Sequence, residues 1–389
     1  MQVLNLVLTF IAIKFLSLSE LGRYNIAKSI SGTFQFANLG FRNALDRRLP
    51  ESKNEDLNLL RLSICAYINT VVSVFILAFF LIRYGLDWFY LLYAIGGVFL
   101  ASFTLLRVYL RGTNQISSFI SASFYGGVLP ILLPIIGLYF FGLAGLGMAF
   151  FIATSIIFTY YFQKIKLRTI KETLNFKGYA FLFFKTGIII YLTNFFEFIA
   201  NNFDRFIIES YSGLETVGEY GIIILVYSLS LVIPGGILEM LFPDYIRDKK
   251  NKVQLIKHAK RHLLVNISFI GLFILISYFL LPYIIPFLFE KYTYLVFPMQ
   301  IILFALIPYA IIGPIYSVLF AFDRHKQMFY ANLISTVFYF AFLFLVLSND
   351  FSILNLVYIK IGYTFLYLIL MFGCLFHSIF TNKISFEFE

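Results

Sequence analysis

The stretch "YLTNFFEFIANNFDRFIIES", Tyr191–Ser210, alternates phenylalanine and isoleucine with groups that hydrocarbon rejects. Thr193, Asn194, Glu197, Asn201, Asn202, Asp204 and Arg205 all fall inside it. A segment this apolar reads as a membrane-spanning helix, and polar groups inside such a helix face a cavity or a partner rather than lipid. The rest of the chain supports that reading. Its 389 residues are 60% hydrophobic and only 13% charged, and the mean hydropathy is +0.87. Soluble globular chains are nearer half apolar and about a quarter charged. Apolar runs of about twenty residues, separated by short polar loops, indicate an all-α integral membrane protein rather than a β-barrel.

Twelve spans follow, near 2–19, 24–41, 62–82, 88–107, 117–140, 143–162, 180–203, 217–241, 263–288, 295–321, 328–348 and 353–379. The loops after even-numbered spans are basic. They include Arg42, Arg48 and Arg61, then Arg107 and Arg111, then Lys164 through Lys177, then Arg247 through Arg261, then Arg324 and Lys326. The loops after odd-numbered spans hold only Arg23, Arg83, Arg205 and Lys291. That asymmetry places both termini in the cytoplasm. It also accounts for the net charge of +10 without nucleic acid, and it implies attraction to anionic membrane lipids. No charged leader or cleavage site opens the chain, so its start reads as a short or clipped first helix rather than a signal peptide.

The halves repeat. "SELGRY" (Ser19–Tyr24) follows span one and "ETVGEY" (Glu215–Tyr220) follows span seven. "RGTNQISSFISASFY" (Arg111–Tyr125) recurs loosely as "RHKQMFYANLISTVFY" (Arg324–Tyr339). This organisation predicts an N-terminal six-helix lobe at 1–163, a cytoplasmic linker at 164–178 and a C-terminal six-helix lobe at 179–389. Two lobes of like orientation usually bind their ligand between them.

"FLSLSELGRY" followed by "FANLGFRNALDRRLP" resembles the opening of the polysaccharide-biosynthesis exporters. These are Wzx-like oligosaccharide flippases of the MOP superfamily, which also holds the MATE drug exporters and the lipid II flippases. "NNFDRFIIESYSGLETVGEYGI" resembles that family's seventh-to-eighth helix hairpin. The resemblance implies a transporter in the bacterial cytoplasmic membrane. Its cargo would be a polyprenyl-diphosphate-linked oligosaccharide, such as an O-antigen, capsule or exopolysaccharide unit, flipped by alternating access. It implies no cofactor, and as partners the lipid-linked glycan, membrane lipids and the polymerase and glycosyltransferases of the same pathway. A basic residue is frequent where Lys14 stands, and Asn38 stands where many members have an aspartate.

Candidate site residues divide by chemistry. Lys28 shares a stripe of span two with Gly32 and Gln35, flanked by Asn25 and Asn38. A lysine among amides suits phosphate or glycan, and it equally suits a snorkelling surface lysine. Lys360, beside Thr364 and Tyr367, and Asn201 are further candidates for the phosphate and glycan surface, with Lys14 set apart from that stripe. Glu197 reads either as a coupling-ion or sugar ligand or as half of a buried ion pair. Asp204 and Arg205 are gating or coupling candidates. Placed at the outer water boundary, they would pair with each other or cap the helix. Pro234-Gly235-Gly236, ahead of Glu239, reads as a break in span eight.

Cys65 and Cys374 lie inside apolar runs with no ligand spacing. His258 and His262 are four apart with no third ligand in view, so no metal is expected. No nucleotide loop or nucleophile motif appears, and the outer loops are too short for the large outer domain a glycan polymerase would carry. A transporter is therefore expected rather than an enzyme. The alternatives are a MATE-like cation-coupled exporter and a major-facilitator protein, against which the spacing of "GFRNALDRRLP" counts. A reporter fused after Lys166 or Lys250 should read cytoplasmic, and one near Ser212 or Asp350 external; the reverse pattern would overturn the orientation.

Overall fold

The capping signals around Ser17 become structure directly. The Ser17 hydroxyl accepts from the Glu20 backbone N–H, and the Glu20 carboxylate accepts from the Ser17 N–H at 2.9 Å. This reciprocal box satisfies two otherwise orphaned donors and starts α2 at Leu18, six residues ahead of the expected span. Asn54, Asp87 and Asn251 cap later helices from one side, each side chain accepting from backbone N–H groups of the first turn.

The computed structural model describes residues 2–50, 54–165, 176–248, 251–349 and 352–380, and these contain helices and no strand. The helices are α1 Gln2–Phe15, α2 Leu18–Thr33, α3 Phe41–Arg48, α4 Glu55–Tyr84, α5 Trp88–Gly112 and α6 Ile116–Lys164. They continue as α7 Phe176–Asn202, α8 Asp204–Arg247, α9 Lys252–Leu288, α10 Val296–Ile302, α11 Leu306–Ala321, α12 His325–Asn349 and α13 Ile353–Phe380. Eight helical segments are long and apolar enough to cross a membrane. Two of these break at a glycine in a left-handed conformation, Gly142 (φ 59°) in α6 and Gly213 (φ 82°) in α8, and each supplies two crossings. With α1 and α2, of 14 and 16 residues, the expected twelve are complete.

Backbone contacts divide the chain into two compact units, Val3–Phe195 and Phe196–Glu389. The expected linker at 164–178 lies mostly outside the described residues. In the first unit, α5 is central: just over half of its most apolar window, 56%, is buried. Gly97 lets α2 approach α5 closely, since a Cβ there would lie 2.8 Å from the Ser31 backbone. Across the Gly142 turn, a Cβ on Gly137 or Gly145 would collide with the other's carbonyl. Gly40 (φ 84°) turns the chain into α3, and its backbone rests against Gly187 of α7. Small residues at such crossings are how membrane helices pack without a hydrophobic drive between them. In the second unit α9 is the opposite case, with only 11% of its most apolar window buried.

The internal repeat is present in the backbone of each unit. Leu18 and Leu214 both start a helix, four residues ahead of Gly22 and Gly218. The residue after that glycine reaches toward the start of the fourth span of its own unit. Arg23 pairs with Asp87 at 2.5 Å, and Glu219 accepts from the Tyr294 hydroxyl at 2.5 Å. The α5–α6 and α11–α12 turns share one cap. Asn114 and Asp323 adopt positive φ, and the next N–H reaches back five residues, Gln115 to Leu110 and Arg324 to Leu319, both at 2.9 Å. Asn114 therefore corresponds to Asp323, which corrects the pairing of Arg111 with Arg324 by four residues.

Two further expectations change. The seventh span does not end at 203. After a one-residue break at Phe203 the helix resumes and runs to Gly213, so Asp204 lies nine residues, about 13 Å, inside that end. Pro234-Gly235-Gly236 does not break α8, whose only non-helical residue is Gly213. A single missing N–H is tolerated in a membrane helix whose neighbours can satisfy the freed carbonyl.

The Gly137–Gly145 crossing leaves no room for a side chain. Gly137→Leu should lower stability by about 1–3 kcal/mol, as overpacking does, whereas Gly362→Ala, with open space around it, should be silent. Thermal unfolding in detergent checks both.

Candidate functional site

Span seven is where the sequence places polar groups in hydrocarbon, and the second unit shows how they are accommodated. Asp204 opens α8 just after the break and is 1% exposed. One of its carboxylate oxygens, Oδ2, accepts from the Tyr220 hydroxyl at 2.8 Å and from the Tyr339 hydroxyl at 2.9 Å. Its other oxygen accepts from the Arg205 backbone N–H at 2.9 Å. The Lys360 ammonium of α13, also 1% exposed, lies 3.8 Å from Oδ2. Lys360 donates to the Ala200 carbonyl at 2.7 Å and to Asn201 Oδ1 at 3.0 Å, and it sits over the rings of Tyr339 and Tyr363.

This arrangement explains the break. No proline or glycine occurs between Ala200 and Arg205. The lysine takes the Ala200 carbonyl, the acceptor that the Asp204 N–H would use in an unbroken helix, while Phe203 keeps helical dihedrals (φ −79°, ψ −17°), so the interruption lies in the hydrogen-bond ladder. A carboxylate that accepts three hydrogen bonds beside a lysine has most of its acceptor capacity used within the protein. The expectation that Asp204 and Arg205 pair at the water boundary is thus corrected. Asp204 is held inside the unit by α12, α13 and the second half of α8, because the span is longer than its apolar run suggested. Lys360, expected to hold phosphate, has its donors turned to protein acceptors.

Glu197, two turns before Asp204, is exposed. It lies within electrostatic range of Tyr309, Tyr316, Tyr363 and Tyr367. A carboxylate among phenols suits a cation; Tyr309, Tyr316 and Tyr367 are half-buried, whereas Tyr363 is buried beneath Lys360. Asn201 donates to the Glu197 carbonyl at 3.0 Å, so its amide links this surface to Lys360. Thr193 is buried and bonds back to the Ile189 carbonyl. The side chain of Thr186 is outside the described set.

The first unit carries the cationic surface. Lys28 is half-buried, with its ammonium 3.4 Å from the Thr9 hydroxyl and 5.3 Å from the centre of the Tyr24 ring. The neighbouring Asn25 is 4% exposed, with an amide nitrogen that has no partner. Gln35 is exposed on the 3-10 turn Phe34–Phe36 that follows α2. Asn38 is local scaffolding: its amide donates to the Gln35 carbonyl at 2.6 Å, and its oxygen accepts from the Gly40 N–H at 3.2 Å. It therefore shapes the left-handed turn rather than facing a ligand. Lys14 is exposed in the last turn of α1, with no hydrogen-bond or ion-pair partner among the described residues. No cluster of three or more metal-ligating side chains occurs among the described residues.

At the C-terminal end of α8, His258 Nε2 donates to the Asp248 carboxylate at 2.8 Å. His258 first and Arg247 second hold the Asp248 carboxyl below the ordinary carboxylate range. His262 instead packs inward against Tyr245 at 3.2 Å.

Sequence reasoning missed Tyr220, Tyr339 and Tyr363. Tyr220 was legible as the last residue of the repeated "ETVGEY", but nothing in a single sequence pairs it with residue 204, 339 or 360. Removing one member of the buried pair should be costly. Lys360→Met or Asp204→Asn alone should destabilise the protein by about 3–5 kcal/mol, with the double variant recovering part of the loss. Thermal unfolding of the three variants checks this, and additive losses would show that the two groups do not interact.

No protein-family profile matches the chain, and no curated protein is significantly similar to it in sequence. Solved structures do match. An inward-facing multidrug-resistance MATE-family transporter of the MOP superfamily superposes with a TM-score of 0.76 at 13% identity, over 98% of this chain and 96% of that one. The lipid II flippase MurJ, in an inward closed conformation, matches with a TM-score of 0.73 at 16% identity, over 98% and 88%. The MATE multidrug transporter DinF-BH gives 0.68 at 16% identity, over 99% and 92%. The chain has the all-helical, multi-spanning fold of the MOP-superfamily transporters.

Proposed function

We propose that the protein is a flippase for a polyprenyl-diphosphate-linked oligosaccharide, working by alternating access in the bacterial cytoplasmic membrane. The observation that supports this cargo is the polar surface of α2. Lys28 is the one charged side chain in its inner half; its ammonium lies 3.4 Å from the Thr9 hydroxyl, with Asn25 on the same helix and Gln35 on the turn that follows. The only acid of α2, Glu20, is held in the capping box. Lysine is a point-charge partner for phosphate, and amides and hydroxyls suit a glycan. The likeness to a lipid II flippase extends over most of both chains and fits a lipid-linked cargo.

The second unit supplies coupling in this reading. Glu197 is the open carboxylate, and Asp204 is the closed one. Making and breaking the Asp204–Lys360 contact is the switch in this reading. Arg205 stands next to that switch. The pathway partners would be the glycosyltransferases that build the cargo and the polymerase that consumes it.

A MATE-like exporter of cationic compounds is the second reading, and Glu197 with its four tyrosines favours it. Proteoliposomes separate the two. The flippase reading expects uptake of a lipid-linked diphosphate oligosaccharide, lost at least tenfold in Lys28→Ala and partly restored in Lys28→Arg. Glu197→Gln should slow turnover while leaving binding in place. Uptake of a cationic dye with no movement of the lipid-linked glycan would sink the flippase in favour of the exporter.

A further inference from the structure

Helix α9 has a single exposed stripe. At about 100° per residue, Val253, Lys257, Lys260, Arg261 and Leu264 fall on one side. The same side continues as Leu272, Leu275 and Phe279, each more than half exposed. The opposite side, Leu255, His262, Asn266 and Ile270, is buried in the second unit. The stripe that faces lipid along most of α9 therefore turns cationic over its first turns, at the end that charge asymmetry puts in the cytoplasm.

Lys257, Lys260 and Arg261 are exposed, and none has a carboxylate partner among the described residues. They line a shallow depression of about 630 Å³ with Ile256, Leu264 and Val265. Asp248, the nearest acid along the chain on the preceding turn, is engaged by Arg247 and His258 and leaves them unneutralised.

We propose that this depression seats the headgroup of an anionic, phosphate-bearing membrane lipid, with its acyl chains lying along Leu264, Leu272 and Leu275. Charge complementarity and continuity with the lipid-facing stripe carry the assignment. A soluble anion would use the three cations alone and have no use for exposed leucines about one to four turns further along the helix. Two lysines and an arginine at helical spacing can hold one phosphate from three sides, Arg261 with two parallel N–H donors. The site needs only that α9 crosses the bilayer, so it stands whether or not the transport reading does.

Native mass spectrometry of the full chain, titrated with phosphatidylglycerol, phosphatidylcholine and inorganic phosphate, tests it. Phosphatidylglycerol should bind in preference to phosphatidylcholine. Each Lys→Ala or Arg→Ala change should weaken it roughly fivefold, and the triple variant K257A/K260A/R261A roughly hundredfold. K257R/K260R should retain binding. Raising the salt should weaken phosphatidylglycerol binding to the unmodified protein several-fold, a reading that does not depend on any variant folding. Equal binding of phosphatidylcholine, insensitivity to salt, or unchanged binding by the triple variant would overturn the proposal. Displacement by millimolar inorganic phosphate would make it a soluble-anion site. Displacement by a polyprenyl diphosphate at equal concentration would assign it to the cargo.

Discussion

A carboxylate and an ammonium buried together, Asp204 and Lys360, set the shape of the second unit. Neither ion is tolerable alone in an apolar interior, so the helices carrying them must bring them within reach of each other. That requirement draws α13 against the α7–α8 break and places Tyr220 and Tyr339 so that their hydroxyls finish the carboxylate. The same lysine takes the Ala200 carbonyl, which makes the break in the helix and the neutralisation of the charge one event.

The rest of the architecture follows from the rule that backbone polar groups must be satisfied within the segment that carries them. Helices are the solution, and glycines supply the exceptions. Gly142 and Gly213 provide left-handed turns that let one helical run become two crossings. Gly97, Gly137 and Gly145 provide close approaches where dispersion, rather than water, holds helices together. The shared caps at Asn114 and Asp323, and the Arg23–Asp87 and Glu219–Tyr294 links, show one local plan of contacts used in both units. The polarity of the second link is reversed between the units, so what repeats is the contact rather than the residue.

The two copies of that plan have diverged in chemistry. The first unit offers Lys28 with amides and hydroxyls. The second offers Glu197 before a tyrosine surface and a sealed Asp204–Lys360 pair behind it. The cationic foot of α9 adds a third polar surface, outside both and facing the bilayer.

The number of spans, their apolar character and the repeat were legible in the sequence, because hydrocarbon imposes length and composition residue by residue. "SELGRY" and "ETVGEY" read as repeated connections after spans one and seven, and the structure places both inside the first turns of the helices that begin at Leu18 and Leu214. Lys28 and Glu197 were legible as out of place in apolar runs. What the sequence left open was every pairing across the bundle. Asp204 read as a boundary residue because the polar cluster 201–205 resembles the end of a span, and only the continuation of the helix to Gly213 shows it to be interior. Lys360 read as a ligand-binding cation because a lone lysine in a span carries no sign of which acceptor, 156 residues away, will meet it. Composition and periodicity are local and survive in one dimension; the choice between an open charge and a paired one is made by contacts that only the folded chain contains.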